Sequence, residues 1–203
     1  MRGPWDRLAP TLEGELVRVE PLSAAHEAPL WEIAEDPEIW RWMPVNAGVS
    51  LEQFHRWMAE ALDQQAAGDQ APFVIIDRAS GQPIGSTRYV TLRPEHRGLE
   101  IGWTWLAPSA WRSGANVECK LLLLTHCFEQ LGCIRIELKT EHLNERSRAA
   151  ISGIGAKFEG IFRSHMIVRG DVIRDSAYYS VTASDWPAVR KGLRARLDKH
   201  KRT

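Results

Sequence analysis

Cysteine is scarce here, with three residues in a chain of 203. The number is odd, and Cys119 and Cys127 fall in one helical stretch, which excludes a disulfide framework. These thiols read as small buried apolar side chains in a reducing compartment. An excess of either charge is also missing: Lys+Arg is 26 and Asp+Glu is 26. That balance gives no electrostatic footprint for nucleic acid or an anionic membrane, so neither is an expected partner. No apolar run is long enough to span a bilayer, and the N-terminus lacks an apolar signal segment, which predicts a cytoplasmic protein. Cys and His show no metal-ligand spacing, so no metal is expected. There is no internal repeat and no linker. The length suits one domain over 1–203 with a full core, of which 1–14, lacking periodicity, reads as a loose lead-in.

Tryptophan, by contrast, is abundant at nine, and several cluster between Trp31 and Trp57. Leu16 to Val19 alternates weakly and predicts a first strand. Ser23 can cap a helix running to about Glu35, broken by Asp36-Pro37. Ser50 followed by Gln53 has the form of a capping box ahead of a second helix that ends near Gly68. The period then changes to two. Phe73–Ile76 and Ile84–Leu92 are expected strands around a turn at Ala79–Gln82. In Leu99–Leu106 strict alternation puts Leu99, Ile101, Trp103 and Trp105 on one face and Glu100, Gly102, Thr104 and Leu106 on the other. Ile134–Leu138 reads as a strand, Asn144 as the cap of a short helix, and Phe158–Val168 and Val172–Val181 as two long strands. A last helix starts near Ser184.

The turn Trp111-Arg112-Ser113-Gly114-Ala115-Asn116 opens a long helical segment with apolar residues at Val117, Leu121, Leu124, Phe128 and Leu131, ended by Gly132. A helix N-terminus offers unpaired N–H groups and the positive end of the macrodipole. Small residues let a phosphate approach the backbone, and Arg112 adds a full charge. The arrangement suits a pyrophosphate. An ordinary strand-to-helix loop would look the same when read alone.

The order of elements, together with this turn, resembles the GNAT superfamily of N-acetyltransferases, in the branch of the ribosomal-protein N-terminal alanine acetyltransferases. The resemblance rests on the turn 111–116, the strand Glu100-Ile101-Gly102-Trp103, Asn144-Glu145-Arg146-Ser147 with Ala150-Ile151, and Ile154–Gly160. Ser113 and Ala115 stand where many members carry glycine; both are small. The resemblance implies an α/β (α+β) fold, with a mixed, mostly antiparallel central sheet splayed at the acetyl-CoA site and helices on both faces.

It also implies acetyl-CoA as co-substrate and direct attack by a primary amine, from a protein N-terminus or a small molecule. A homodimer is compatible with it, and a non-catalytic acyl-CoA-binding protein is the alternative. The pantetheine arm is expected on the backbone of Trp105, Leu106 and Ala107, and the pyrophosphate on Arg112, Ser113, Gly114, Ala115 and Asn116. Asn144, Arg146 and Ser147 are further cofactor contacts. Glu100 is the expected base and also an acceptor contact, and Ser147 is expected to protonate the leaving thiolate. Arg41, Trp42 and Met43 are expected to roof the acceptor pocket. Each has a plainer reading: Glu100 as a solvent-facing strand residue, Ser147 as a helix-start serine, and the tryptophans as core. His142 and His165 are read as structural.

Overall fold

The computed structural model describes residues 4–200. In chain order the strands are β1 (Leu12–Glu13), β2 (Val17–Pro21), β3 (Ala71–Asp77), β4 (Pro83–Arg93), β5 (Gly98–Leu106), β6 (Arg135–Glu141), β7 (Lys157–Val168) and β8 (Val172–Thr182). The helices are α1 (Glu27–Ala34), α2 (Pro37–Trp40), α3 (Leu51–Ala67), α4 (Ala115–Thr125), α5 (Glu145–Gly153) and α6 (Trp186–His200). Capping chemistry sets several boundaries. Ser50 Oγ accepts from the Gln53 amide at 3.2 Å, and Gly68 closes α3 in the left-handed conformation at φ 78°. Such a serine cap is worth about 1 kcal/mol. Asp36 caps α2, and Asn144 Oδ1 accepts from the Ser147 amide at 3.0 Å to start α5.

All eight strands form one sheet in the order β1-β2-β3-β4-β5-β6-β8-β7. Every adjacent pair is antiparallel except β5 and β6, which run parallel. Alternation along the strands builds a core on each face. Phe73, Ile75, Leu99, Ile101, Ile136 and Leu138 join α4, α5 and α6 on one side. Val74 and Ile76 join Trp40, Phe54, Trp57 and Met58 of α2 and α3 on the other. This second core stops at β5, so β6, β8 and β7 present polar residues on that face, among them Lys139, Ser176 and Tyr178.

Three local expectations change. The segment from residue 4 to 13 is not loose: Trp5, Leu8 and Leu12 pack on the first core, and β1 pairs with β2. Residues 1–3 of that lead-in lie outside the described residues. The helix expected to run unbroken to Leu131 widens into a π turn over His126–Gln130 before Gly132 ends it at φ 66°. Strict alternation in β5 also fails. Ser86 pairs with Trp105 but Arg88 pairs with Gly102, so β5 carries one extra residue, a bulge. Trp103 sits in it at φ 53°. The bulge reverses the parity, so Trp103 and Trp105 join the α2–α3 core while Leu106 joins the other. Among the described residues no helix is long and apolar enough to cross a membrane.

Candidate functional site

The parallel pairing of β5 and β6 is short. It runs through Gly98↔Arg135, Leu99↔Ile136 and Glu100↔Glu137, and then ends. Beyond Glu100 the strands part, and the bulge at Trp103 lies directly after the parting point. The gap therefore exposes β5 backbone in mid-sheet. The bulge is tied from behind. Thr104 Oγ1 lies 2.8 Å from Thr87 Oγ1 and accepts from Lys120 Nζ of α4 at 2.7 Å. Lys120 is buried, and burial lowers its pKa. A buried lysine of α4 thus holds the Thr104 side chain where the sheet opens.

At the mouth of the gap lies the loop into α4. Arg112 holds φ 63° and Gly114 holds φ 89°, and Arg112 and Ser113 are exposed. A Cβ on Gly114 would meet Leu16 Cδ1 at 3.0 Å and the His200 ring at 3.4 Å, so glycine is required on two grounds. Ser113 Oγ donates to the Ala110 carbonyl at 2.7 Å and accepts a long bond from the Ala115 amide at 3.3 Å. No side chain caps α4 at Gly114. The first turn therefore retains amides, including those of Asn116 and Val117, that can meet an anion. Arg146, in the first turn of α5, stacks its guanidinium 3.7 Å from the Trp111 ring centroid. That stack joins the expected phosphate loop to the start of α5, where Ser147 is half-buried and Asn144 is buried as the cap.

The segment Trp105–Ala107 is partly spent. The Ala107 amide donates to the Ile84 carbonyl at 2.8 Å, and the Leu106 carbonyl accepts from Trp111 Nε1 at 2.9 Å. Those two groups face β4 and the loop. A ligand would use its remaining backbone groups. The Trp105 side chain is buried in the α2–α3 core.

Glu100 lies on the α1–α3 face of the sheet at only 3% exposure, so the solvent-facing alternative does not hold. Lys139 Nζ donates to Glu100 Oε2 at 2.8 Å. The pair extends into a polar floor. The Lys139 ammonium lies 5.8 Å from the Tyr178 ring centroid, and Tyr178 Oη lies 3.2 Å from His165 Nε2. Ser176 Oγ lies 3.0 Å from His165 Nδ1. Burial lowers the His165 pKa, and Lys139 and Arg174 lower it further, so its imidazole is neutral at pH 7. Burial raises the Tyr178 pKa, keeping its phenol protonated.

The 41–44 loop lies against the turn between β7 and β8. Arg41 is exposed and Trp42 and Met43 are half-buried, with the Arg41 guanidinium 5.3 Å from the Trp42 ring centroid. The turn between β7 and β8 holds the loop in place. The Arg169 amide donates to the Pro44 carbonyl at 2.9 Å, and its Nη1 donates to the carbonyls of Met43 at 2.9 Å and Arg41 at 3.1 Å. The 41–44 loop and the β7–β8 hairpin are thus tied together by three hydrogen bonds. Lys139, Lys120 and Arg169 were not foreseen from the sequence. Each acts through a partner distant in the chain, and nothing local to it signals that.

Among the described residues no group of His, Cys, Asp and Glu could hold a metal ion. A cavity of about 470 Å³ lies between α5 and α6 around Gly155, Asp185 and Arg196, away from the strand gap.

Comparison with known proteins agrees with this geometry. Residues 17–157 match the family model described as an acetyltransferase (GNAT) domain. YdaF of Bacillus subtilis (strain 168), named provisionally as a ribosomal N-acetyltransferase, is 31% identical over 106 residues, 52% of this chain. That match spans only 57% of YdaF's own length. The crystal structure of a GCN5-related N-acetyltransferase from Brucella melitensis superposes with a TM-score of 0.85 at 32% identity, over 92% of this chain and 85% of that one. Mycobacterium smegmatis RimJ in complex with CoA-disulfide shares the fold, with a TM-score of 0.78 at 23% identity over 97% of both chains. With its splayed β5–β6 pair, its uncapped loop into α4 and its family match over residues 17–157, this chain belongs to the GNAT acetyltransferase family.

Proposed function

We propose that this protein is an acetyl-CoA-dependent N-acetyltransferase, working as one domain along its length, whose acceptor is a primary amine on a protein N-terminus or a small molecule. One observation carries the reading. The β5–β6 pairing ends at Glu100, so an open strand edge, an uncapped helix N-terminus and a buried carboxylate meet at one gap. The ribosomal acceptor in YdaF's name and the CoA-disulfide bound to RimJ support an acyl-CoA donor and a protein acceptor.

When bound, acetyl-CoA would supply an activated acetyl thioester. The residues present fit it. The amides of Arg112 to Asn116 and the Arg112 guanidinium would hold the pyrophosphate, Arg146 and Asn144 would flank it, and free backbone groups of Trp105 to Ala107 would line the arm. Amides at the bulge, near Trp103 and Thr104, would polarise the thioester carbonyl. The fixed bulge means that little reorganisation is needed at the moment of reaction. Arg41, Trp42 and Met43 would orient the incoming amine above Glu100. A primary amine near its reference pKa is mostly protonated at neutral pH and must lose a proton to attack. Glu100 Oε1, the oxygen that Lys139 does not hold, would take that proton directly or through water. Ser147 Oγ, which has no partner among the described residues, would hold the proton needed by the departing sulfur.

The test is thiol release from acetyl-CoA by the pure protein against a panel of peptides and small amines. Amine-dependent release supports the reading. Tight acetyl-CoA binding without release to any acceptor would assign the chain to non-catalytic acyl-CoA binding.

A further inference from the structure

Four donor nitrogens are buried in the α2–α3 core with no acceptor among the described residues: Nε and Nη2 of Arg88, Nε1 of Trp57 and Nε1 of Trp105. They belong to one cluster. The Arg88 guanidinium carbon lies 4.8 Å from the Trp57 ring centroid and 4.7 Å from that of Trp103, and the Trp57 and Trp105 rings are 6.1 Å apart. Arg88 is 2% exposed, and its one hydrogen bond runs from Nη1 to Gln70 Oε1 at 3.2 Å. Burial pushes its pKa down to about 10, with Glu60 acting in the opposite sense, so it stays cationic at neutral pH.

Stacking between two indoles uses the faces of a guanidinium and leaves its in-plane N–H groups unsatisfied. Buried donors are almost always paired, and an orphan on a charged group is costly. If position 88 served only as core, an apolar side chain of similar volume would fill it without the two guanidinium orphans. Among the described residues Nε and Nη2 of Arg88 are bonded to no acceptor, and that side of the guanidinium fork matches a carboxylate.

The register fixes where that acceptor would come from. Arg88 pairs with Gly102, and Val90 pairs with Glu100. Arg88 and Glu100 therefore share one sheet face, one diagonal apart, which is about 7–8 Å between Cα positions. Beside the guanidinium lies the Trp103 ring, half-buried, on the bulged residue at φ 53° that follows Glu100 by three positions.

Building on the N-acetyltransferase reading, we propose that Arg88 is the anchor for a carboxylate on the acceptor. The acceptor class is then an amine that also bears a carboxylate: the amine sits at Glu100, and the carboxylate reaches the Arg88 fork when the Trp103 ring moves aside. The carboxylate can belong to a small amino acid or to an acidic side chain in a peptide's first residues.

Matched acceptor pairs decide it. With wild-type protein and acetyl-CoA, kcat/KM is measured for 4-aminobutyrate against butylamine, and for an Ala-Glu-Ala amide against an Ala-Gln-Ala amide. The expected result is a preference of roughly tenfold to a hundredfold for the carboxylate member of one pair, and that pair names the source. Arg88→Lys and Arg88→Gln should bring the ratio to within about threefold. Because the readout is a ratio, a general loss of rate in a destabilised variant does not affect it. No preference in either wild-type pair overturns the proposal, as does a preference that survives both substitutions. Tryptophan emission is followed in parallel, since three indoles line the cluster. A saturable change with 4-aminobutyrate but not butylamine supports the site, and equal responses count against it. This titration needs no turnover. Absence of acetyl transfer to all four acceptors would therefore count against the N-acetyltransferase reading, while the emission result still decides the carboxylate site.

Discussion

Gly114 carries two demands at once, and substituting it separates them. At φ 89° a residue with a Cβ costs about 1–2 kcal/mol in backbone energy. The added Cβ would also lie 3.0 Å from Leu16 Cδ1, a side-chain end that can yield, and 3.4 Å from the His200 ring. Gly114→Ala should therefore cost about 1–2 kcal/mol of stability, and Gly114→Val, with two more methyls at a buried position, about 3 kcal/mol. The loop can relieve this only by turning its peptide planes. That moves the amides at the start of α4 that the account assigns to pyrophosphate. Acetyl-CoA affinity should fall at least tenfold in both variants, tenfold being about 1.4 kcal/mol. Gly68→Ala is the control. Gly68 has φ 78° and nothing within 4 Å of an added Cβ, so it suffers the backbone cost without touching the site. Calorimetric titration with acetyl-CoA, alongside thermal unfolding, reads both effects. If Gly114→Ala loses stability as Gly68→Ala does, yet binds acetyl-CoA like wild type, the loop is not the phosphate site.

Glu100→Gln should lower kcat at neutral pH by roughly 10²–10⁴-fold, recovering as pH rises and the amine deprotonates itself, with acetyl-CoA affinity nearly unchanged; a pH–rate profile checks this. Trp42→Ala should raise the acceptor KM and leave acetyl-CoA affinity near wild type, because Trp42 lies in the loop that Arg169 holds and that is proposed to roof the acceptor; the reverse pattern would make the segment structural. Asp185 is lowered to about 2 by its hydrogen bond from Lys157 and those from Thr182. A depressed carboxylate pKa stabilises the fold above the unfolded value of about 4, and that stability is lost as pH falls from there through about 2. Lys157 is largely exposed, so solvent screening keeps the contribution small. Asp185→Asn should lower the melting temperature at pH 7, and the difference should disappear near pH 2.

The pattern of strands and helices is legible in the sequence because its signals are local. Ser50 with Gln53 starts α3 and Gly68 ends it, the change to period two marks β3 and β4, and Asn144 starts α5. The small-residue turn at Gly114 is legible for the same reason. The bulge at Trp103 is not. Its left-handed conformation is borne by tryptophan rather than glycine, so strict alternation carries Trp103 and Trp105 to the wrong face. Nor does the sequence reveal that Glu100 is ion-paired, because Lys139 lies 39 residues away on a strand that meets β5 through only three register pairs. Arg169 reads locally as a turn residue, and its hold on the roof spans 126 and 128 residues. Arg88 sits mid-strand like any alternating residue. Only the packing of Trp57 and Trp103 around it shows that it is buried.

The central claim is direct transfer at the β5–β6 gap, and one mass measurement tests it. Wild-type protein is mixed with isotopically labelled acetyl-CoA, with and without an amine acceptor that supports thiol release, and both protein and acceptor are weighed. The account predicts label on the acceptor nitrogen and unlabelled protein in both samples. Labelled protein formed without acceptor, and discharged when acceptor is added, would contradict it.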